Sequence, residues 1–410
     1  MKILIVCHRL PFPPDHGGKI RAFEMIKHLG AQHSVTVATL AHTQKELQVG
    51  NRLLDYCDQL MVEVLPSSVR WAKATLALAG SKPSSGRYFW SARLQRAIAG
   101  AGSFDRVLVH CAFMAEYVRD TPSPFKVLDY ADIDSGKWSD YQSFKRQPLG
   151  LAYKLEARKL RRHERQVAAY FNACAVTTKG EQQEFYALGT SQPCVVIPNG
   201  VDFDYFNPAG RAESSAPVIL FLGRMNYFPN VDGIVEFATN VFPRVRAAVP
   251  QARLRIVGSD PTRSVRRLIR MPGIEVTGYV PDVRPYMADA SIGIAPLRIA
   301  RGTQNKVLEM MAAGIPVVAS SQAAKGIQAI DGEHLLVAGS LEGFTNHVIT
   351  LLRDRNLRRK LSAAGRNQVE KEHSWPAAME LLDEVLQLRE AVPSPSPAAV
   401  TSNTFSGPRH

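Results

Sequence analysis

The chain has 410 residues, a formal net charge of +13 at pH 7 and 45% apolar residues. This length predicts two or three domains, and this composition is typical of a globular protein with sizeable cores. No uncharged apolar run approaches the roughly 18 residues that a membrane-spanning helix needs, and the positive charge calls for an anionic partner such as phosphate groups, an anionic membrane surface or nucleic acid.

The first residues and the cysteines indicate the compartment. Met1 and Lys2 precede the apolar run Ile-Leu-Ile-Val, which is shorter than the roughly 7–15 residues of a signal-peptide core and predicts a first β-strand. The five cysteines, at positions 7, 57, 111, 174 and 194, form no C-x-x-C pair. Their scatter predicts a reduced, cytoplasmic protein without a metal site.

Short β-branched runs alternate with helical patterns through residues 1–190. A helix is predicted near 19–29, between the first two strands. The strands are predicted at 2–8, 34–40, 59–64, 106–110, 126–131 and 173–178. Strands separated by helices of this length indicate βαβ crossovers in a parallel sheet. Residues 1–190 are therefore predicted to form one doubly wound, Rossmann-like domain.

A second α/β series follows a linker. Residues 191–216 are rich in Gly, Pro, Asn and Ser, as a linker would be. Residues 217–375 are predicted as a second Rossmann-like domain, and helices continue to about 391. The Pro/Ser-rich residues 393–410 lack a core pattern and are predicted to be disordered. The predicted fold class is α/β, with two doubly wound domains in tandem.

The loop after the first strand has the composition of an anion-binding turn. Gly17 and Gly18 precede a helix that carries Lys19 in its first turn. Ligands of open α/β sheets lie beyond the carboxyl ends of the strands, and helix N-termini bind anions. Glycines let a phosphate or a sugar approach the backbone closely. A plain turn is the alternative.

The second domain contains similar signals. Gly223 and Arg224 follow its first strand, where a guanidinium can hold a diphosphate. Gly258 ends the next strand, and Asn199 opens an Asn-Gly turn between the domains.

A polar stripe is predicted on the helix that starts near residue 303. If Thr303 caps this helix, a rotation of 100° per residue places Gly302, Asn305, Lys306 and Glu309 on one face. This face suits a nucleotide diphosphate at the amide-rich start, with its ribose hydroxyls at the carboxylate. A surface Lys–Glu pair is the alternative.

Five sequence segments, taken together, resemble those of a known enzyme family. "PPDHGGKIR", "IPNGVDFDYF", "FLGRMNYFPNVDG", "VTGYVPDVRPYMADASIGIAPL" and "GTQNKVLEMMAAGIPVVAS" are similar to GT-B glycosyltransferases of family 4, which are retaining enzymes that use nucleotide-sugars. "MNYFPNVDG", "VLDYADIDSGKW" and "RGTQNKVLEMMAAGIPVV" together narrow the resemblance to sugar transferases associated with bacterial exopolysaccharide and exosortase (PEP-CTERM) systems. The resemblance implies a central cleft between an acceptor-binding first domain and a donor-binding second domain. It also implies that 376–392 form a helix that crosses back to the first domain.

The resemblance also assigns roles to residues. It implies that Glu309 holds the donor ribose, that Arg224 binds the diphosphate, and that Gly17 and Gly18 lie near the donor phosphate and the acceptor. The donor face is completed by the residues that open the polar helix, which are Gly302, Thr303, Gln304, Asn305 and Lys306.

The sequence departs from the family pattern at three places. Arg301 stands where the first acid of the Glu-x7-Glu pair is expected. An Arg cannot accept hydrogen bonds from sugar hydroxyls, so stabilisation of the leaving diphosphate, recognition of an acidic sugar and a solvent-facing side chain remain open. The usual Lys after "GR" is absent, and Lys306 is a substitute. The usual His after the fifth strand is absent, and Asp129, Asp132 and His110 are the candidates there.

The sequence therefore predicts a glycosyltransferase that uses a nucleotide-diphosphate sugar and a lipid-linked or polysaccharide acceptor. The alternatives are a GT-B nucleotide-sugar epimerase and a basic nucleic-acid-binding protein, although no nucleic-acid-reading module is recognisable. Two D-x-D triplets, at 132–134 and 202–204, are not assigned a metal because GT-B enzymes generally need none, and no cofactor is expected.

Two segments of the first domain predict contact with a membrane. Aromatic and basic residues mix within 66–98, and Lys and Arg are concentrated within 145–165. Such surfaces suit an anionic membrane interface or a lipid-linked acceptor. A packed insertion and a solvated basic helix are the alternatives. The expected location is the cytoplasm, with peripheral contact at the inner face of the plasma membrane.

Overall fold

The computed structural model describes residues 1–15, 17–78, 80–144, 149–209 and 217–388. The predicted disordered tail, 393–410, lies outside these ranges, as do Lys145 and Arg146 of the basic segment and part of the predicted linker. Two parallel sheets, of seven and six strands, form the centres of two α/β domains. The predicted α/β fold of two doubly wound domains is confirmed.

The first domain is built on a seven-stranded sheet with the order β3-β2-β1-β4-β5-β6-β7. Its strands are β1 (Lys2–Cys7), β2 (Ser34–Ala41), β3 (Gln59–Val64), β4 (Arg106–His110), β5 (Lys126–Ala131), β6 (Ala173–Val176) and β7 (Cys194–Val196). Its helices are α1 (Gly17–Gly30), α2 (Gln44–Gly50), α3 (Ser67–Leu76), α4 (Ser84–Tyr88), α5 (Ala92–Ala99), α6 (Asp134–Ser143), α7 (Leu149–Ala168) and α8 (Lys179–Ala187), with 3-10 segments at Asn51–Asp55 and Ala112–Val118.

The second domain is built on a six-stranded sheet with the order β10-β9-β8-β11-β12-β13. Its strands are β8 (Val218–Leu222), β9 (Arg253–Val257), β10 (Ile274–Gly278), β11 (Ile292–Ala295), β12 (Val317–Ser320) and β13 (Leu336–Ala338). The helices are α9 (Phe228–Glu236), α10 (Phe242–Ala248), α11 (Arg263–Arg267), α12 (Arg284–Ala288), α13 (Asn305–Ala312), α14 (Ser321–Ala324), α15 (Leu341–Arg353), α16 (Arg355–Glu372) and α17 (Trp375–Val385), with a π-helical turn at Phe237–Val241 and a 3-10 turn at Leu268–Arg270.

The central strands are apolar because helices cover both faces of each sheet. Only Lys2 of β1 is exposed, and every residue of β8 is buried. Val6 of β1 is paired with Ala38 of β2 on one side and with Val109 of β4 on the other. The chain reverses its direction of winding between β1 and β4, and between β8 and β11. Such reversals create the crevices at the carboxyl ends of strands where ligands of this fold class bind.

Two short strands are additions to the predicted elements. β7 lies within the segment 191–216, and its Cys194 pairs with Cys174 of β6. β13 pairs with β12 at the far edge of the second sheet. Each strand has only three residues, which is too short to show a period of two.

The last helix, α17, packs on the first domain although it follows the second one in sequence. Trp375, Met379 and Leu382 share a buried cluster with Ile3 and Ile5 of β1. His28 Nε2 of α1 lies 2.8 Å from Asp383 Oδ1. This helix therefore ties the end of the described chain to the first domain.

Candidate active site

The candidate site of the second domain begins where β8 and β9 end. Gly223 and Gly258 both have positive φ, 152° and 154°, and a Cβ on Gly258 would overlap the carbonyl oxygen of Gly223. A residue with a side chain at position 258 would therefore separate the two loops. The pair leaves bare backbone at the carboxyl end of the sheet, as close approach by a ligand requires.

Lys306 lies against this glycine pair on its Gly223 side. Its Nζ donates to Asn230 Oδ1, lies 4.9 Å from the centre of the Phe221 ring, and would be 3.1 Å from a Cβ on Gly223. Burial lowers the pKa of Lys306 to about 7, and Glu309 opposes this shift. The Lys306 amine is thus held beside the glycine loop in surroundings that favour its neutral form. An anion bound next to it would favour the protonated form.

Glu309 follows Lys306 by one turn of α13. Burial raises the pKa of Glu309 to about 7, against the opposing charge of Lys306. Between them these two residues place one cation and one carboxylate along the same face of the helix, as the predicted stripe requires. Val307, Leu308 and Met311 are buried in the core instead.

Arg224 lies at the rim of this site. Its Nη2 is 3.8 Å from Asp260 Oδ2, and 44% of its side chain is exposed. Its carbonyl oxygen accepts a hydrogen bond of 3.0 Å from Asn230 Nδ2. Asn230 therefore connects Arg224 to Lys306, although no sequence motif pointed to it.

The prediction that Thr303 caps the polar helix is wrong. α13 begins at Asn305, and its N-cap residue is Gln304, which makes no side-chain capping bond. Gln304 Nε2 donates instead to the carbonyl oxygen of Arg301 at 2.9 Å. Thr303 Oγ1 is buried without a hydrogen-bond partner among the described residues. Gly302 explains the shift, because its left-handed φ of 58° turns the chain before the helix starts.

Gly302 also lies close against the first domain. A Cβ at this position would overlap the Asp132 carboxylate of the first domain. Asp132 Oδ1 accepts a hydrogen bond of 3.1 Å from Thr177 Oγ1, which fixes the carboxylate against the loop.

Asp129 and His110 do not line the cleft. Asp129 is fully buried, and it accepts two hydrogen bonds of 2.9 Å from the Arg21 guanidinium and lies 2.8 Å from His110 Nδ1. Burial alone would raise the pKa of Asp129, but the charge of Arg21 and the contact with His110 hold that pKa well below its usual range. These residues form an internal charge network, a role that the sequence did not predict for them.

The same network reaches the junction between the domains. Arg21 Nη1 donates to Asn199 Oδ1 at 3.0 Å, and Asn199 Nδ2 donates to Asn305 Oδ1 at 3.1 Å. The amide of Asn305 also faces Gly17, where a Cβ would lie 3.4 Å from Asn305 Nδ2. The predicted glycine loop, the hinge turn and the start of α13 are therefore brought together.

Two residues of the glycine loop differ in their surroundings. A Cβ on Gly18 would meet nothing within 4 Å. Lys19 is buried and turned toward Glu46 at 3.3 Å and Asp15 at 3.9 Å. Its charge is thus compensated within the first domain.

Arg301 crosses the cleft. Its Nε lies 2.6 Å from Asp140 Oδ2 of α6, and its Nη1 lies 3.9 Å from Glu181 and 3.7 Å from Glu184 of α8. A Cβ on Gly136 would overlap the guanidinium. Arg301 is therefore a link between the domains, held by three acids, and not a solvent-facing side chain.

The cleft beside Arg301 contains further residues that the sequence did not select. It is lined by Asp132, Lys137, Tyr227, Ile299, Ala300, Arg301 and Gln304. Lys137 Nζ lies 5.6 Å from the centre of the Tyr227 ring. Burial would lower the pKa of Lys137, but Tyr227, Asp134 and Asp132 raise it above its usual range. Its position three residues after the D-x-D triplet at 132–134 was an available signal.

Residues 216–354 match the family described as "Glycosyl transferases group 1". This segment contains the glycine pair, Lys306 and Glu309. The second domain is thus the part of the chain that the family describes.

One relative of known activity is a GDP-mannose-dependent monoacylated alpha-(1-6)-phosphatidylinositol monomannoside mannosyltransferase from Corynebacterium glutamicum. It is 30% identical over 224 residues, which is 49% of this chain and 58% of that protein. The chain thus matches little more than half of the relative's length.

Solved structures share the fold over nearly the whole chain. Sucrose-phosphate synthase from Thermosynechococcus elongatus has a TM-score of 0.71 at 16% identity, over 95% of this chain and 99% of its own. Anabaena HepE, solved in complex with UDP and glucose, has a TM-score of 0.66 at 14% identity, over 95% and 100% of the two chains. The architecture is that of GT-B glycosyltransferases.

Two features are absent from the described residues. No helix among them is both long and apolar enough to cross a membrane. No three His, Cys, Asp or Glu side chains come together there as metal ligands would.

Proposed function

We propose that this protein is a glycosyltransferase that moves a sugar from a nucleotide-diphosphate sugar to a lipid-linked or polysaccharide acceptor. The observation that carries the proposal is the position of Lys306 over the Gly223–Gly258 pair, with Glu309 one turn further along α13. This arrangement lies in the segment that matches group 1 glycosyl transferases. The UDP complex of the similarly folded HepE supports a nucleotide as the ligand class.

The donor is held by charge and by bare backbone. Cleavage of the sugar–phosphate bond leaves negative charge on the diphosphate and positive charge at the anomeric carbon. Lys306 and the rim residue Arg224 stabilise the diphosphate, and the glycine pair admits it to the backbone. The Glu309 carboxylate accepts hydrogen bonds from the ribose hydroxyls. Ordered donors that are aimed at a charge developing in the transition state lower the barrier.

The acceptor approaches from the first domain. Asp132 is a carboxylate of the first domain that faces Gly302 and, unlike Asp140, Glu181 and Glu184, is not paired with Arg301. Asp129 is occupied by Arg21 and His110. We therefore assign the interaction with the acceptor hydroxyl to Asp132. Retention of the anomeric configuration and a place in exopolysaccharide or cell-surface glycan synthesis rest on the motif resemblance. Contact with the inner face of the plasma membrane rests on the aromatic and basic segments of the first domain.

A nucleotide panel tests the proposal. UDP, GDP and ADP are compared as ligands in thermal unfolding, because a ligand that binds only the folded state raises the unfolding temperature, and at equal concentration a tighter ligand raises it more. At least one should stabilise the protein, and Glu309→Gln should reduce that shift. If all three leave the unfolding temperature unchanged, the donor site is wrongly assigned.

The reaction class is tested separately. A transferase requires an acceptor, whereas an epimerase interconverts free nucleotide-sugars without one. The relative and the similar structures named above do not support the epimerase.

The stereochemical outcome has its own test. Proton NMR of the product gives its anomeric configuration, and an inverted product would overturn retention.

A further inference from the structure

Helix α3 has its polarity reversed. Arg70 is its inward-facing charged residue and is fully buried, with hydrogen bonds from Nε to Leu65 O (2.7 Å) and from Nη2 to Ala41 O (2.8 Å). The apolar side chains of the helix point outward. Trp71 is 63% exposed and Leu76 is 82% exposed. An ordinary helix at a solvent-exposed surface has its apolar side chains toward the core and its charged side chains toward water.

A second apolar stripe lies beside α3, on α7. Lys159 Nζ of α7 donates to the carbonyl oxygen of Leu78 at 2.7 Å, so the two segments are adjacent. Leu151 and Leu155 are 52% and 48% exposed. Together with Arg158 and Arg162, they recur at positions i, i+4, i+7 and i+11, which lie along one face of a helix.

The exposed charge on this side of the domain is positive. The two acids of α7, Glu156 and Glu164, are both buried, and Glu156 accepts hydrogen bonds from Ser84 and Ser85. Helix α3 contains no acid. Within the described ranges, no ion pair joins the exposed basic residues here to a carboxylate. These residues are Lys82, Arg87, Lys154, Arg158 and Arg162.

We infer that this apolar–basic surface docks the protein on an anionic lipid bilayer. The surface is defined by the outward residues of α3 and its continuation, of α7 and of the basic rim, which are Val69, Trp71, Leu76, Leu78, Leu151, Leu155, Lys82, Arg87, Lys154, Arg158 and Arg162. The apolar side chains enter the interface, and the cations meet the lipid headgroups. A tryptophan among them suits the boundary between headgroups and acyl chains.

The surface adjoins the cleft. Tyr153 of α7 packs 5.1 Å from Trp138 and 6.1 Å from Tyr141, measured between ring centres. The Tyr141 hydroxyl lies 3.3 Å from that of Tyr227, which lines the cleft. A bilayer against α7 therefore brings lipid-linked acceptors next to the cleft. This consequence rests on the proposed function, whereas the docking surface itself does not.

The test is co-sedimentation of the full chain with vesicles. Phosphatidylglycerol–phosphatidylcholine vesicles should bind the protein, pure phosphatidylcholine vesicles should bind it less, and added salt should weaken the binding. Leu76→Glu with Leu78→Glu should reduce binding about tenfold or more, because two apolar groups are lost and two negative charges meet an anionic surface. The matched control is Ile269→Glu with Ile330→Glu, which changes two apolar side chains of the second domain that are 60% and 58% exposed.

A charge series completes the test. Arg158→Glu with Arg162→Glu should reduce binding to the anionic vesicles, whereas Arg266→Glu with Arg267→Glu makes the same change in net charge on exposed residues of the second domain and should leave most of it. Equal losses in both pairs, or no binding by the unaltered chain, would overturn the inference. So would surface variants that abolish self-association in sedimentation velocity but keep vesicle binding, because the occupant would then be a second copy. Stabilisation by UDP should persist in every surface variant, so failure of docking is distinguishable from failure of the donor site.

Discussion

Arg301 Nε lies 2.6 Å from Asp140 Oδ2, and this contact joins the loop before α13 to helix α6 of the other domain. Glu181 and Glu184 add negative charge at 3.9 and 3.7 Å from Nη1. At the position where the resemblance leads one to expect a sugar-reading acid, this protein has a cation that pairs with acids of the first domain. The residue thus contributes to the relative position of the two domains.

Replacement of Arg301 by Gln should weaken the contact that holds the two domains together across the cleft. The pair loses a charge-assisted contact in a partly buried position, where such bonds are stronger than neutral ones. We expect a larger radius of gyration by small-angle X-ray scattering and several-fold weaker UDP binding by calorimetry. Asp140→Asn should act in the same direction. The double variant should fall short of the sum of the single effects by about 1 kcal/mol, as is typical of contacting residues.

The control for this prediction is Arg284→Gln. Arg284 pairs with Asp282 at 2.8 Å within the second domain, and more than half of its side chain is exposed. An exposed pair of this kind contributes little, so scattering and UDP binding should stay close to those of the unaltered protein. If Arg301→Gln behaves like Arg284→Gln, the interdomain role is wrong.

The fold followed from the sequence because parallel strands buried on both faces are long β-branched runs, such as Lys2–Cys7 and Val218–Leu222. Of the predicted polar stripe, Asn305, Lys306 and Glu309 lie on α13, whereas Gly302 precedes the helix in a left-handed turn. The missed strands β7 and β13 are three residues each and have no usable period.

The partners of individual charges could not be predicted. Arg301 and Asp140 are separated by 161 positions along the chain, and no local pattern joins them. Asp129 was a candidate cleft carboxylate because it lies near the end of the fifth strand, where the resemblance leads one to expect a His, yet Arg21 and His110 enclose it. Arg70 has its partners at Leu65 and Ala41, so the reversal of α3 arises from tertiary hydrogen bonds. These properties depend on how distant segments meet.

Removal of the Asp129 charge should destabilise the first domain. Asp129→Asn leaves the buried Arg21 guanidinium without its anion, which typically costs about 3–5 kcal/mol of unfolding free energy. Urea denaturation at pH 7 measures this loss. The exposed Asp204 provides the control, because Asp204→Asn removes a carboxylate that faces solvent.

The difference in unfolding free energy between the unaltered protein and Asp129→Asn should depend on pH. The pKa of Asp129 is held below its usual range in the folded state. Its contribution to stability is therefore complete above the unfolded pKa of about 4 and is lost as the pH falls through the folded pKa. The difference between the unaltered protein and Asp129→Asn should be constant from pH 7 to about 5 and should shrink below about pH 4. A difference that grows on acidification would contradict the assignment of Arg21 as the partner.

UDP binding should have an optimum near neutral pH. Lys306 must be protonated to attract the diphosphate, and its pKa in the empty site is about 7. Glu309 must be ionised to accept ribose hydrogen bonds, and its pKa is also about 7. Affinity should therefore fall on the alkaline side as Lys306 loses its proton and on the acidic side as Glu309 gains one. Calorimetry in two buffers of different ionisation enthalpy should show proton uptake above pH 7, because a bound diphosphate raises the pKa of Lys306.

Lys306→Arg separates the two limbs of this profile. A guanidinium stays charged throughout the accessible range, so the alkaline fall should disappear while the acidic fall remains. Lys306→Met should weaken binding at all pH values. An alkaline limb that is unchanged in Lys306→Arg would assign it to another group.

Gly258→Ala should abolish the donor site. The new Cβ would overlap the carbonyl oxygen of Gly223, and the backbone at 258 has a φ of 154°, which residues with side chains rarely adopt. The loops after β8 and β9 must then separate, so Lys306 loses the surface over which it is placed. We expect loss of stabilisation by UDP together with a lower unfolding temperature.

The control is Gly180→Ala in α8, where the nearest atom to a new Cβ is Thr178 Oγ1 at 3.7 Å. Ala is also the better helix former there by roughly 1 kcal/mol. Gly180→Ala should keep UDP binding and unfold at the same or a higher temperature. Retention of full UDP binding in Gly258→Ala would show that the glycine pair does not form part of the donor site.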